Sequence, residues 1–91
     1  MQRQGGSGGS GTGRKLENAF GRVLQEVRNE RGLSQELLGF ESGYHRTYIS
    51  FLERGKKSPS LSTIMNLAET LRVPASEMIR RVEIALKLKF E

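Results

Sequence analysis

Ninety-one residues carrying a net charge of +5 allow one small domain with a modest core, too small for a buried active site of many parts. The absence of cysteine excludes disulfides and thiol-based metal or redox sites, and it suits a reducing cytoplasmic setting. No apolar run approaches the ~18–20 residues that span a bilayer, no secretory signal is legible, and a pI near 10.1 favours a polyanionic partner without identifying one.

Residues 1–14 are rich in glycine and serine and lack apolar residues beyond Met1, so they predict a flexible, disordered coil of the kind left by a linker or cloning remnant. The other reading is a natural arm whose Arg3 and Arg14 touch phosphates. The folded domain is expected over residues 15–91. From Leu16 the apolar spacing becomes helical: Phe20, Val23, Leu24 and Val27 form one stripe, Arg28 interrupts it on the inward side, and Gly32 stops the helix. Ser34 caps a second helix that begins at Gln35 and ends near Glu41. Small Gly39 suits a helix contact and Gly43 a tight turn. A third helix follows over residues 45–54, ended by Gly55, with Tyr44, Ile49 and Leu52 facing inward.

Lys56-Lys57-Ser58-Pro59 is a basic loop closed by a helix-breaking proline. Ser60 caps a fourth helix with Leu61, Ile64, Leu67, Ala68 and Leu71 on one face. Val73-Pro74 ends it, and a fifth helix starts near Ala75 with Met78, Ile79 and Val82 inward. The tail IALKLKFE is read as more helix, although Leu86, Leu88 and Phe90 alternate as a strand would. Gly21 has no evident role in this pattern.

The stretch from Leu33 to Gly55 combines a small residue, a glycine turn and inward apolar residues at the spacing that a helix-turn-helix unit demands. With the segments G-L-S-Q, H-R-T-Y-I-S, L-E-R-G-K and P-S-L-S-T-I in order, residues from about Arg22 to Ile79 resemble the phage-repressor or xenobiotic-response-element class of helix-turn-helix domains. Within that class the chain is similar to restriction–modification controller proteins and to stand-alone repressors. The resemblance implies an all-α fold of five helices, lambda-repressor-like, that binds an inverted-repeat double-stranded DNA operator as a homodimer and controls transcription. It implies no enzymatic activity and no cofactor.

Candidate contacts follow from the polar positions. The third helix should enter the major groove, where the planar fork of Arg46 can bind guanine O6 and N7 together; a phosphate contact alone is the alternative. Thr47 and Ser50 are further base-contacting candidates. Gln35, His45, Tyr48, Arg54, Lys56 and Lys57 are candidates for phosphate, with His45 also suited to capping the helix. Between Ser42 and Ser60 four Lys or Arg residues stand against the single acid Glu53, a local excess of +3. By resemblance, Glu53 should turn inward and pair with Arg28. Phe51 departs from the family pattern, because phenylalanine cannot hydrogen-bond a base edge; it packs either on a thymine methyl or on apolar surface.

The dimer surface is expected on the fourth and fifth helices and the tail, at Met65, Met78, Ile79, Val82 and Leu86, with Ile84, Leu88 and Phe90 beside them. The alternative is that the last helix folds over its own domain. An antitoxin role, with a toxin or other protein as partner, stays open at this point. A lone histidine without cysteine argues against a metal, and no nucleophile set, acidic pair or phosphate-cradling loop suggests catalysis.

Overall fold

A computed structural model describes residues 13–87, which form five helices and, among the described residues, no strand. These are α1 (Gly13–Glu30), α2 (Gln35–Ser42), α3 (Arg46–Glu53), α4 (Leu61–Leu71) and α5 (Ala75–Leu86). Two caps fall where the sequence places them. The Ser34 hydroxyl accepts the Leu37 N–H at 3.0 Å, and the Ser60 hydroxyl accepts the Thr63 N–H at 3.1 Å. Each satisfies a donor that a helix start leaves orphaned. Helix α1 begins two residues before the expected boundary, and the Arg14 guanidinium donates to the Gly55 carbonyl at 2.6 Å. Arg14 therefore belongs to the fold and not to the tail. Arg3, Leu88 and Phe90 lie outside the described residues.

One core is shared by all five helices. It joins Phe20, Val23, Leu24 and Val27 of α1 to Leu38, to Ile49 and Leu52 of α3, to Leu67, Ala68 and Leu71 of α4, and to Met78 and Val82 of α5. Two expected dimer residues are thereby corrected: Met78 and Val82 are 0% and 4% exposed in the single chain, so they serve the domain's own core. Leu86 is half-buried against the same core. The physical reason is that α5 packs along α1, so its apolar stripe meets the α1 stripe before any second chain could cover it. Leu61 is also corrected. It begins α4 pointing to solvent, 73% exposed, instead of sharing the inward face.

Three helices meet at Glu53. Arg28 Nε donates to Glu53 Oε2 at 2.6 Å and Arg28 Nη2 to Oε1 at 3.0 Å, a two-bond fork, while Arg28 Nη1 donates to the Leu33 carbonyl at 2.8 Å. Gln35 Nε2 adds a bond to Glu53 Oε1 at 2.8 Å. The Arg28 and Glu53 side chains are only 10% and 3% exposed, so the pair is charge-assisted and shielded from water. Gly21 now has its explanation. A Cβ there would lie 2.5 Å from the Glu53 carbonyl oxygen, so α1 rests directly on the C-terminal turn of α3.

A second tie closes the other end. Arg81 of α5 donates to both Glu30 oxygens, at 2.9 and 3.1 Å, and to Glu77 at 3.1 Å. The Arg81 hydrogen bonds hold the Glu30 carboxyl below the usual range, and those of Arg80 and then Arg81 do the same for Glu77. Carboxylates lowered in this way stabilise the fold above the ordinary carboxylate range, and the contribution is lost as pH falls through their lowered values.

Replacing Arg28 with alanine would leave the Glu53 carboxylate buried with Gln35 as its remaining side-chain partner. Urea denaturation should show Arg28→Ala to be destabilised by about 3–5 kcal/mol; a loss below about 1 kcal/mol would mean the pair behaves as a surface ion pair.

Candidate nucleic-acid interface

The angle between α2 and α3 is set by backbone proximity. A Cβ on Gly39 would stand 2.6 Å from the Tyr44 carbonyl oxygen, and Gly43 adopts φ +86°, a left-handed conformation that favours glycine. The Gly39 carbonyl accepts both the Gly43 and Tyr44 N–H groups, at 2.9 and 2.8 Å, which closes the turn. The start of α3 is capped by His45, whose Nδ1 accepts the Thr47 N–H at 3.0 Å. That assignment of the ring leaves Nε2–H as a free donor on an exposed residue.

On α3, Ile49 and Leu52 are fully buried. Helical spacing then places Thr47, Ser50, Phe51 and Arg54 on the opposite, outward side, with Arg46 at the first turn. Arg46 and Thr47 are exposed, whereas Ser50 is half-buried. Tyr48 is half-buried, its ring 5.1 Å from that of Tyr44 and packed against the core. Tyr44 is less available, since its hydroxyl donates to Thr63 Oγ1 at 3.1 Å.

At the far end, Arg54 caps α3, and the Lys56 N–H returns to the Phe51 carbonyl at 2.8 Å, delivering exposed Lys56 and Lys57 beside the helix terminus. Gln35 spends one amide hydrogen on Glu53, which leaves its second N–H and the helix start for an anion. Because Glu53 faces inward, the exposed cations Arg46, Arg54, Lys56 and Lys57 dominate this surface.

Two details of this surface are not immediately legible in the sequence. The Arg54 guanidinium lies 5.3 Å from the centre of the half-buried Phe51 ring, so one face of that ring is a platform for a cation. Their spacing of three residues on one helix face is the signal that could have found it. Glu36, in the first turn of α2, stands 3.7 Å from Arg46 Nη1. Nothing local marks that pair, which spans the turn between two helices.

Of the expected dimer residues, Met65 and Ile79 are 54% and 39% exposed, and Leu61 and Ile84 add apolar surface on the same two helices. Among the described residues no group of His, Cys, Asp or Glu is placed to hold a metal ion, and no helix is long and apolar enough to cross a membrane.

Two short helices crossing at a glycine turn, the second capped and polar on its outer side, define a helix-turn-helix domain. The chain belongs to the helix-turn-helix family, whose profile matches residues 24–78. It is 38% identical over 61 residues to the control protein C.BamHI of Bacillus amyloliquefaciens, covering 66% of this chain and 75% of that protein. The crystal structure of the restriction–modification controller protein C.AhdI from Aeromonas hydrophila superimposes with a TM-score of 0.66 at 42% identity, over 68% of this chain and 94% of that one. The controller protein C.Esp1396I, solved as a tetramer with its natural 35 base-pair operator, superimposes with a TM-score of 0.73 at 25% identity, over 80% of this chain and 96% of that one.

Phe51 is half-buried, whereas its neighbours Ile49 and Leu52 are fully buried. Phe51→Ala should cost less in urea denaturation than Ile49→Ala, at about 2–5 kcal/mol, because the Phe51 ring is only half-buried; equal losses would place Phe51 in the core.

Proposed function

We propose that this protein is a transcriptional regulator that binds an inverted-repeat operator in double-stranded DNA as a homodimer, with α3 in the major groove. The observation that carries the reading is the outward surface of α3: a polar, cation-rich face whose one helical acid, Glu53, is withdrawn into the fold. The family membership and the operator complex of C.Esp1396I support it. In this reading Arg46, Thr47 and Ser50 meet base edges. Gln35, the Nε2–H of His45, Tyr48, Arg54, Lys56 and Lys57 hold phosphates on either side.

An inverted repeat requires two α3 helices about one DNA turn apart, ~34 Å. Met65 and Ile79 remain the candidates to join two chains, with Leu61 and Ile84 as exposed apolar neighbours on α4 and α5. Such a regulator performs no catalysis and works in the cytoplasm where its operator lies. The antitoxin alternative gains no support, since the relatives are described as transcriptional regulators and control proteins.

Arg46→Ala should cost about 1–3 kcal/mol on the preferred operator and much less on a scrambled duplex. Lys56→Ala should weaken both and reduce the salt slope by about one ion. Binding titrations at several salt concentrations read both effects. An equal loss on both duplexes for Arg46→Ala would remove Arg46 from base readout.

A further inference from the structure

We infer that Glu36 is a positioning residue for base reading. Its carboxylate biases Arg46 toward the groove face and offsets its pull on phosphates, so that Arg46 contributes to DNA binding mainly through directional contact with a base. The inference rests on the proposed role of Arg46 in base readout.

The geometry is unusual for a surface that meets a polyanion. Glu36 Oε1 and Arg46 Nη1 are 3.7 Å apart across the α2–α3 turn, with side chains 76% and 64% exposed. Near the start of α2, Ser34 is spent on the Leu37 N–H and Gln35 on Glu53. Among the described residues Glu36 makes no such structural bond and reaches the start of α3 instead. An acid there opposes every phosphate that approaches. Within the ~10 Å over which charge acts in ordinary salt, it also neutralises Arg46.

The two effects on binding differ in sign. General attraction to phosphate falls with the net charge, so a scrambled duplex loses the contribution of Arg46. Readout survives, because a guanidinium has five N–H donors in a fixed fork, and one Nη turned toward a carboxylate leaves others for guanine O6 and N7. Holding the side chain also reduces the rotamer freedom lost on binding. An exposed pair of this kind is weak, so it biases Arg46 and does not latch it. The outcome is a gain in the ratio of preferred to scrambled binding.

The test uses the full chain, a duplex selected from a random DNA pool, and a scrambled duplex of equal length. Glu36→Gln should bind the scrambled duplex roughly three- to five-fold more tightly, with a salt slope steeper by about one ion. Binding to the selected duplex should change by less than about two-fold, which lowers the ratio. In an Arg46→Ala background the same substitution should shift both duplexes by one common factor, because charge alone remains. If Glu36→Gln in the wild-type background shifts both duplexes equally, or neither, Glu36 does not position Arg46. If the unsubstituted protein itself fails to distinguish the duplexes, base readout by α3 falls, and the role of Glu36 falls with it.

Discussion

Burial of the Glu53 carboxylate demands partners, and the partners come from two other helices. Arg28 of α1 meets it with two hydrogen bonds and Gln35 of α2 with a third, at a site where the acid side chain is only 3% exposed. An uncompensated charge in that setting would be strongly destabilising, so the three helices take the arrangement that satisfies it. The same arrangement removes the single acid of α3 from the surface on which its cations stand. One interaction thus holds the helices together and sets the electrostatic character of the outer face.

Close backbone contact makes this arrangement definite. Gly21 lets α1 rest on the carbonyls that end α3, and Gly39 lets α2 meet the backbone that begins it. With α3 held at both ends by positions that lack a Cβ, its axis has little freedom, and Ile49 and Leu52 decide which side is buried. The outward side then follows from the helical repeat. Its two ends are finished by the His45 cap and by the Phe51 ring under Arg54. Preorganisation of this kind leaves fewer side chains to be ordered when a partner arrives.

The helices were legible because their signals are local. Ser34, Ser60 and Pro74 mark starts, Gly32, Gly43 and Gly55 mark ends, and the α1 stripe has helical spacing throughout. The pairing of Arg28 with Glu53 came from resemblance, since 25 residues separate them and no local rule links the two. Gly21 was opaque for the same reason: its contact lies on another helix. Met78 and Val82 depart from the expected dimer surface because an apolar stripe on a last helix has the same sequence pattern whether it faces its own core or a second chain. Leu61 fits the α4 periodicity by number but is the first residue of the helix, ahead of the point where Thr63 and Ile64 reach the core. In the candidate interface, residue types pointed to Arg46 and the lysines. The Glu36–Arg46 and Phe51–Arg54 pairs depend on side-chain geometry and emerged with the structure.

In the proposed function this fixed scaffold presents α3 to DNA in two symmetric copies. Selection of bound sites from a random double-stranded pool tests it most directly, because sequence, spacing and symmetry are read together. Two α3 helices held by a dimer should enrich an inverted repeat whose half-sites are centred about 10–10.5 base pairs apart, or a whole multiple of that. Recovery of no enriched sequence, or of an isolated half-site with no symmetric mate, would contradict it.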